Sequence, residues 1–348
     1  KYLFLFRLII NSIFFNIFAN QFILLKNMHY LNETLQILDE GLSHSLSYFV
    51  SPDKRINIVY LFSSLLLALY VYKTTNIRGS FLKYIFNKKV WAGKSAMVDY
   101  MLFFLNGILK ILLIGPYVIF GFYIAFYVNE GLLQFFGFPS YSLSTTTTLI
   151  LYTITLTIVN DFFSYLTHYL MHTVPFLWEF HKTHHSATTL NPLTQYRIHP
   201  LELIINNIRS ILIFGLITGV FDYLSNHQIN KIMFLGVNIF TFLFFFLGAN
   251  LRHSHVKLKY PRLMEYIFIS PFQHQIHHST QRKHFNKNMG SKFAIWDYLF
   301  GTLVLSGSIS KIRFGIPKEK LNYTSFLGNL FNPFLKTITN ISQFFTKK

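Results

Sequence analysis

Hydrophobic positions in this chain come in runs of membrane-crossing length, separated by short polar connectors. Residues 56–72, 98–128, 143–166, 201–220 and 232–250 are apolar almost without interruption, and about 20 such residues in a helix cross the hydrocarbon of a bilayer. The run at 98–128 exceeds one crossing and has Gly115 and Pro116 near its middle. It reads as one kinked, tilted span in preference to a re-entrant pair, because the next loop then falls outside. Residues 28–52 read as a short mixed helix broken at Gly41. Residues 331–348 alternate apolar and polar groups between basic ends, a pattern suited to the bilayer surface. Residues 1–25 are apolar around a single Arg7 with Asn11, Asn16, Asn20 and Gln21, and the first methionine is Met28. Two readings stand for residues 1–27: a further membrane or signal-like segment, or a non-native stretch ahead of a start at Met28. No repeat of solenoid length is visible.

Charge orients these runs. Six basic residues and no acid lie from Lys73 to Lys94, whereas 129–142 contain no Lys or Arg. By the excess of Lys and Arg on cytoplasmic loops, the first connector is inside and the later crossings alternate without adjustment. The connector from 222 to 231 carries only Asp222, His227 and Lys231 as ionisable residues. Beyond Asn250 the chain has 15 Lys and Arg and no run long enough to span, which predicts a cytoplasmic cap. The formal +18, from 31 basic and 13 acidic residues, therefore reports topology. Nucleic acid is excluded as a partner, since no basic helix or aromatic–basic platform lies outside the juxtamembrane loops. Composition agrees: 52% hydrophobic and 13% charged residues, with 41 Phe and 21 Tyr, are unlike a soluble domain. With no cysteine, disulfides and thiolate metal sites are excluded. The expected fold is an all-α integral membrane protein, a transmembrane helical bundle of about four to five spans with a cytoplasmic helical cap. Its segments are an N-terminal part (1–55), transmembrane helices (56–167), a histidine-rich cytoplasmic stretch (168–200), a transmembrane pair (201–250), the cap (251–330) and a basic tail (331–348).

Histidine gives the chain its chemistry. Of 15 histidines, all but His29, His44 and His227 fall on the predicted cytoplasmic face between His168 and His284. His168 and His172 form H-x-x-x-H; His181, His184 and His185 form H-x-x-H-H, a pattern repeated by His274, His277 and His278. Residues three and four apart share a helix face, so each group aims several imidazoles at one point. Neutral imidazole ligates Fe, Zn, Cu or Ni, and eight converging rings exceed what one ion takes, which suggests two ions. Neither Glu-x-x-His, the soluble di-iron pattern, nor H-E-x-x-H, the zinc-protease pattern, occurs. Asp161, two helical turns before His168, and Glu179, Glu202, Glu265 and Asp297 are the acids placed to accept ring N–H protons or to form ion pairs.

Between Asp161 and Thr302 the chain resembles the sterol desaturase and fatty acid hydroxylase superfamily of integral-membrane di-iron oxygenases. The resemblance rests on the boxes HYLMH (168–172), HKTHH (181–185) and PFQHQIHHS (271–279), with RIHPLE (197–202), HSH (253–255), NMG (288–290) and WDYLFGT (296–302). It implies a helical bundle whose histidine boxes cap a lipid-accessible tunnel. It also implies ligand roles for the eight box histidines and for His253, with Lys257 standing where some relatives carry a second histidine. His255 is then a neighbour of the site, and Arg197 and His199 are residues that support it. The implied cofactors are two iron ions with O2 as co-substrate. The implied partners are a lipid substrate and an external electron donor of cytochrome b5, ferredoxin or reductase type, since no cytochrome b5-like or flavin-binding stretch is evident.

An unactivated C–H bond does not yield to acid–base chemistry, so a redox-active pair beside an apolar tunnel points to lipid hydroxylation or desaturation. The competing class is a divalent-metal transporter or metal-binding membrane protein, which needs ionisable ligands near the bilayer midplane. Here the spans are poor in ionisable residues and the histidines sit at or beyond their ends.

Overall fold

The computed structural model describes residues 28–226, 238–307, 309, 311–317 and 323–346. Among them it is helical, with no strand beyond the isolated bridges Phe268–Phe293 and Ser279–Phe314. Helix α1 is Met28–Ser47, and α2, Ile58–Thr74, starts from the Asn57 side chain, which accepts from Val59 N. Two short helices, α3 (Phe81–Ile85) and α4 (Lys88–Trp91), cross the basic connector. Then come α5 (Lys94–Leu109), α6 (Phe120–Phe136), α7 (Thr145–Thr173) and α8 (Pro175–His185). The rest comprises α9 (Pro200–Ser225), α10 (Ile239–Phe246), α11 (Pro271–His277), α12 (Ile295–Leu299) and α13 (Phe326–Thr346).

Among the described residues, three helical runs are long and apolar enough to cross a membrane: Lys94–Phe136, Thr145–Thr173 and Pro200–Ser225. The first joins α5 to α6 through a π turn, Lys110–Ile114, and a 3₁₀ turn, Gly115–Tyr117. Pro116 has no N–H to give and crowds the carbonyl four residues back, and the ladder answers by widening, with Gly115 N bonding Lys110 O. Direction is kept across this break. Asn106 Nδ2 bonds Ile198 O just before α9, Gly121 packs on Phe214, and Asn129 bonds Asp222. The run therefore climbs alongside α9 and does not turn back on itself.

Helix α7 returns antiparallel to α9, with Leu143 N bonding Leu224 O and the Tyr152 and Thr218 hydroxyls 2.9 Å apart. Small residues set the α6–α9 contact. A Cβ on Gly215 would lie 2.7 Å from Gly121 O, and one on Gly219 would lie 2.5 Å from Ala125 O. Such close backbone approach is how helices associate where lipid removes the hydrophobic driving force. Facing outward, Phe122, Tyr123, Phe126 and Tyr127 of α6 stay exposed, as lipid-solvated side chains do.

The expected span at 56–72 is an apolar helix of 17 residues, α2, at about 1.5 Å per residue shorter than the other three. Of the expected span at 232–250, residues 232–237 lie outside the described residues. The remainder is the eight-residue α10 followed by a 3₁₀ turn, Ala249–His253, entered through Gly248 at φ +100°. The readings for residues 1–27 and His227 also fall outside the described residues. The basic tail belongs to a longer helix, because α13 begins at Phe326.

Candidate metal centre

The end of α7, all of α8, the turn before Ser254 and α11 supply nine histidines to one buried locus. His168 and His172 stand on the last turns of α7 and share its inner face. Val174 breaks the ladder and Pro175 opens α8, where a missing N–H costs nothing; the helix then delivers His181, His184 and His185 at its C-terminal end. His253 ends the 3₁₀ turn. Helix α11 starts at a reciprocal cap between Ser270 and Gln273, and Glu265 accepts from the Ser270 hydroxyl at 2.7 Å. Its far end carries His274, His277 and His278.

The nine rings divide into two sets, His168, His172, His181, His185 and His277, and His184, His253, His274 and His278. Within each set the ligand nitrogens lie within 4.8 Å of one another. In the second set, Nε2 of His253 is 3.3 Å from His184 Nε2, 3.1 Å from His274 Nε2 and 3.2 Å from His278 Nε2. One N–H cannot serve four facing nitrogens. Four nitrogens about 2.1 Å from a central ion would stand roughly 3.4 Å apart at tetrahedral edges, close to what is seen. In the first set the Nε2 atoms of His172, His181, His185 and His277 are buried without a hydrogen-bond partner, and lone pairs left so cost free energy unless something binds them. All-imidazole donors fit Fe, Zn, Cu or Ni.

The other ring nitrogen is usually held from behind. His168 Nδ1 donates to Met289 O at 2.7 Å, His277 Nδ1 to Lys287 O at 2.8 Å, and His184 Nδ1 to Arg197 O at 3.3 Å. These contacts fix tautomer and ring direction, leaving Nε2 free to ligate. His181 Nδ1 lies 3.0 Å from Glu202 Oε1, a close contact without hydrogen-bond alignment. His274 differs: Arg252 Nη2 donates to its Nδ1 at 2.8 Å, so a neutral His274 carries its proton on Nε2 and must release it to ligate. Burial, with the neighbouring rings adding to it, pushes His181, His185, His253, His274, His277 and His278 well below the ordinary histidine range. Burial likewise takes His184 down to about 3. Neutral rings with free lone pairs are the form that binds metal.

The supporting residues expected from the sequence act at different removes. Glu202 reaches a ring directly. Arg197 offers His184 its carbonyl, while its guanidinium ties Thr183 O, Ser186 Oγ and Asp99 together. Asp297 accepts from Met289 N, Gly290 N and Thr302 Oγ1, and so holds the loop whose carbonyl receives His168. Asp161 departs from expectation. It receives Lys292 N, Phe293 N and Trp296 Nε1, because the 291–296 loop folds over α7 and satisfies the carboxylate before any ring does. His199 caps α9, its Nδ1 accepting from Leu201 N, and its Nε2 donates to Leu330 O of α13. His255 stands edge-on to Tyr84, outside both sets, as does buried His284. Glu179 pairs with Lys182.

Sequence reasoning missed Trp178, whose ring lies 5.0 Å from His172 and 5.5 Å from His185, and Arg252. It also missed the carbonyl acceptors of Lys287 and Met289, which side-chain identity cannot reveal. The one available signal was the NMG run, since Asn286 and Asn288 both adopt positive φ and so shape that loop. An apolar cavity of about 370 Å³ lies between α2 and the α3–α4 segment, lined by Leu61, Leu65, Trp91 and Leu251 and reaching Ser254 and His255 beside His253.

Fold and site together define a helical protein with apolar helices of membrane-crossing length and two all-histidine groups that could each hold a metal ion. Residues 153–302 match the fatty acid hydroxylase family. That stretch, under half of the chain, holds all nine of these histidines. It is 28% identical over 178 residues to the ornithine lipid hydroxylase OlsE of Rhizobium tropici, a match covering 51% of this chain and 48% of that protein. It is 29% identical over 143 residues to the alkylglycerol monooxygenase of Caenorhabditis elegans, covering 41% of this chain and 25% of that protein. The matches thus span about half of one relative's length and a quarter of the other's. No solved structure matches the chain.

Proposed function

We propose that this protein is a membrane-bound di-iron oxygenase that inserts oxygen into, or desaturates, a lipid chain. The observation that carries the reading is the convergence of nine imidazoles, seven buried and those of His168 and His172 partly so, into a set of five and a set of four, with His168, His172, His181, His185 and His277 holding one ion and His184, His253, His274 and His278 the other. An iron pair with O2 supplies an oxidant strong enough for an unactivated C–H bond. In hydroxylation, one oxygen atom enters the lipid as an alcohol and the other leaves as water, with electrons from a separate donor protein. The chain's own residues hold the rings neutral, aim them through the 287 and 289 carbonyls and Glu202, and keep water from the buried centre. Hydroxylation is favoured over desaturation because both relatives are named for oxygen insertion into lipids. The apolar cavity beside His253 suits an acyl, alkyl or sterol body. The basic connector at 73–94 supports a cytoplasmic position for the centre.

Purified protein is expected to hold two tightly bound iron ions per chain. Cells expressing it are expected to gain an oxygenated lipid, seen as a mass increase in the lipidome, that cells carrying His184→Ala lack. Unchanged lipids together with a single loosely exchanging ion would instead indicate metal transport.

A further inference from the structure

Four cations crowd the side of the histidine centre that faces α10. The Phe244 ring centroid lies 5.3 Å from the Arg55 guanidinium carbon, 5.4 Å from that of Arg252 and 5.9 Å from Lys292 Nζ. Arg209, on the spanning helix α9, is near enough to act on Lys292 as well. Asp161, the one acid that acts on all four, is already engaged by three N–H donors from the 292–296 loop, and Asp297 acts on Arg252 alone among them. Among the described residues no carboxylate comes within ion-pair distance of any of the four.

Their hydrogen bonding is unfinished. Arg252, 2% exposed, donates to His274 Nδ1, Gly290 O and Ser291 O, yet its Nε has no partner. Arg209 spends Nη2 on Ser210 Oγ and leaves Nε and Nη1 unpartnered and buried. Like charges held this close in a weakly screened interior repel, and a buried cation without a counter-charge is strongly unfavourable. An ionisable side chain inside a membrane bundle most often lines a substrate or ion path. One carboxylate common to four cations leaves the arrangement short of negative charge.

The position says which kind. Arg55 stands just before α2, Arg252 in the turn after α10 and Lys292 in the loop before α12, so three of the four cations sit at helix ends, where head groups lie, with Arg209 in the third turn of α9. Beside it α10 exposes Phe240, Phe242, Leu243 and Phe246, an apolar route for a hydrocarbon chain. Arg252 touches both the cluster and a histidine of the centre.

We infer that Arg55, Arg209, Arg252 and Lys292 form a binding site for the acidic head group, a carboxylate or a phosphate, of the lipid on which the centre acts. The inference rests on the lipid-oxygenase reading for the fate of the bound molecule, and on the cation cluster alone for its binding. It makes an anionic lipid the substrate class.

Binding to the full chain in a neutral detergent tests it, with palmitic acid, its methyl ester, dioleoylphosphatidic acid and inorganic phosphate as probes. The acid lipids are expected to bind about tenfold or more tightly than the ester. Arg55→Gln combined with Lys292→Gln is expected to remove that preference while metal content and thermal unfolding stay as in the parent. Millimolar inorganic phosphate is expected not to displace the lipids. Equal binding of acid and ester by the parent protein overturns the inference without any variant, as does a preference that survives the double substitution. Displacement by inorganic phosphate assigns the cluster to a free anion and overturns the lipid assignment. Acid-selective binding with no oxygenated product leaves the head-group site standing and counts against the oxygenase reading alone.

Discussion

The guanidinium of Arg197 and the carboxylate of Asp99 meet at 3.1 Å, both side chains almost wholly buried. Asp99 lies on α5, outside the matched domain, and its other oxygen receives Asn191 and Thr194. Arg197 then joins Thr183 and Ser186 of the second histidine box and gives His184 its carbonyl. The first membrane-length helix is thereby tied to the centre. Asp99→Ala leaves an unpaired buried guanidinium, and removing one partner of such a pair costs about 3–5 kcal/mol. A fall in the thermal unfolding temperature, with metal loss at the set containing His184, is the expected result. An unchanged unfolding temperature would show that the pair is idle.

Glu202 faces His181 Nδ1 at 3.0 Å. Replacing a carboxylate behind a ligating histidine weakens metal affinity about 10–100-fold. Glu202→Gln keeps the shape and removes the carboxyl group, so chelator competition is expected to strip one ion from the variant well before the other. Equal release of both ions from variant and parent would contradict this role.

Gly215 and Gly219 let α9 approach α6 until a Cβ would stand within 2.7 Å of a backbone oxygen. A rigid backbone contact cannot yield as a flexible side chain does. Gly219→Leu is therefore expected to force the helices apart and destabilise the bundle by about 1–3 kcal/mol, read from thermal unfolding in detergent.

His199 couples α9 to α13 in one protonation state. Its Nδ1 accepts from Leu201 N while Nε2 donates to Leu330 O, and burial lowers its pKa to about 4. In the unfolded chain it protonates near 6.5, so between about 6.5 and 4 the unfolded state holds the extra proton, and stability falls as pH falls through that window. The contribution is on the order of 3 kcal/mol when complete. His199→Asn keeps a side-chain acceptor for the helix start but does not titrate. Its stability is expected to decline less than the parent's between pH 6.5 and 5, measured on the same metal-free preparations. Parallel pH profiles would rule out the coupling.

Much of this protein is set locally and is therefore legible in order along the chain. Apolar runs long enough to cross a bilayer become α5–α6, α7 and α9, because a backbone in lipid must satisfy its own hydrogen bonds and a helix does so within each segment. The i, i+3, i+4 spacing of the boxes follows from helix geometry, and all eight box histidines, with His253, meet in the fold. Tertiary structure decided how those nine rings are shared out. His184 joins His274 and His278, while its neighbour His185 joins His168 and His277, a partition that depends on how α7, α8 and α11 cross. It also sent Asp161 to the 291–296 loop, gave His168 and His277 backbone carbonyls, and gathered Arg55, Arg209, Arg252 and Lys292, more than two hundred positions apart at the extremes, around one ring. Periodicity is a property of a segment and can be read from it. Which segments face each other, and with what charge between them, is settled only by packing.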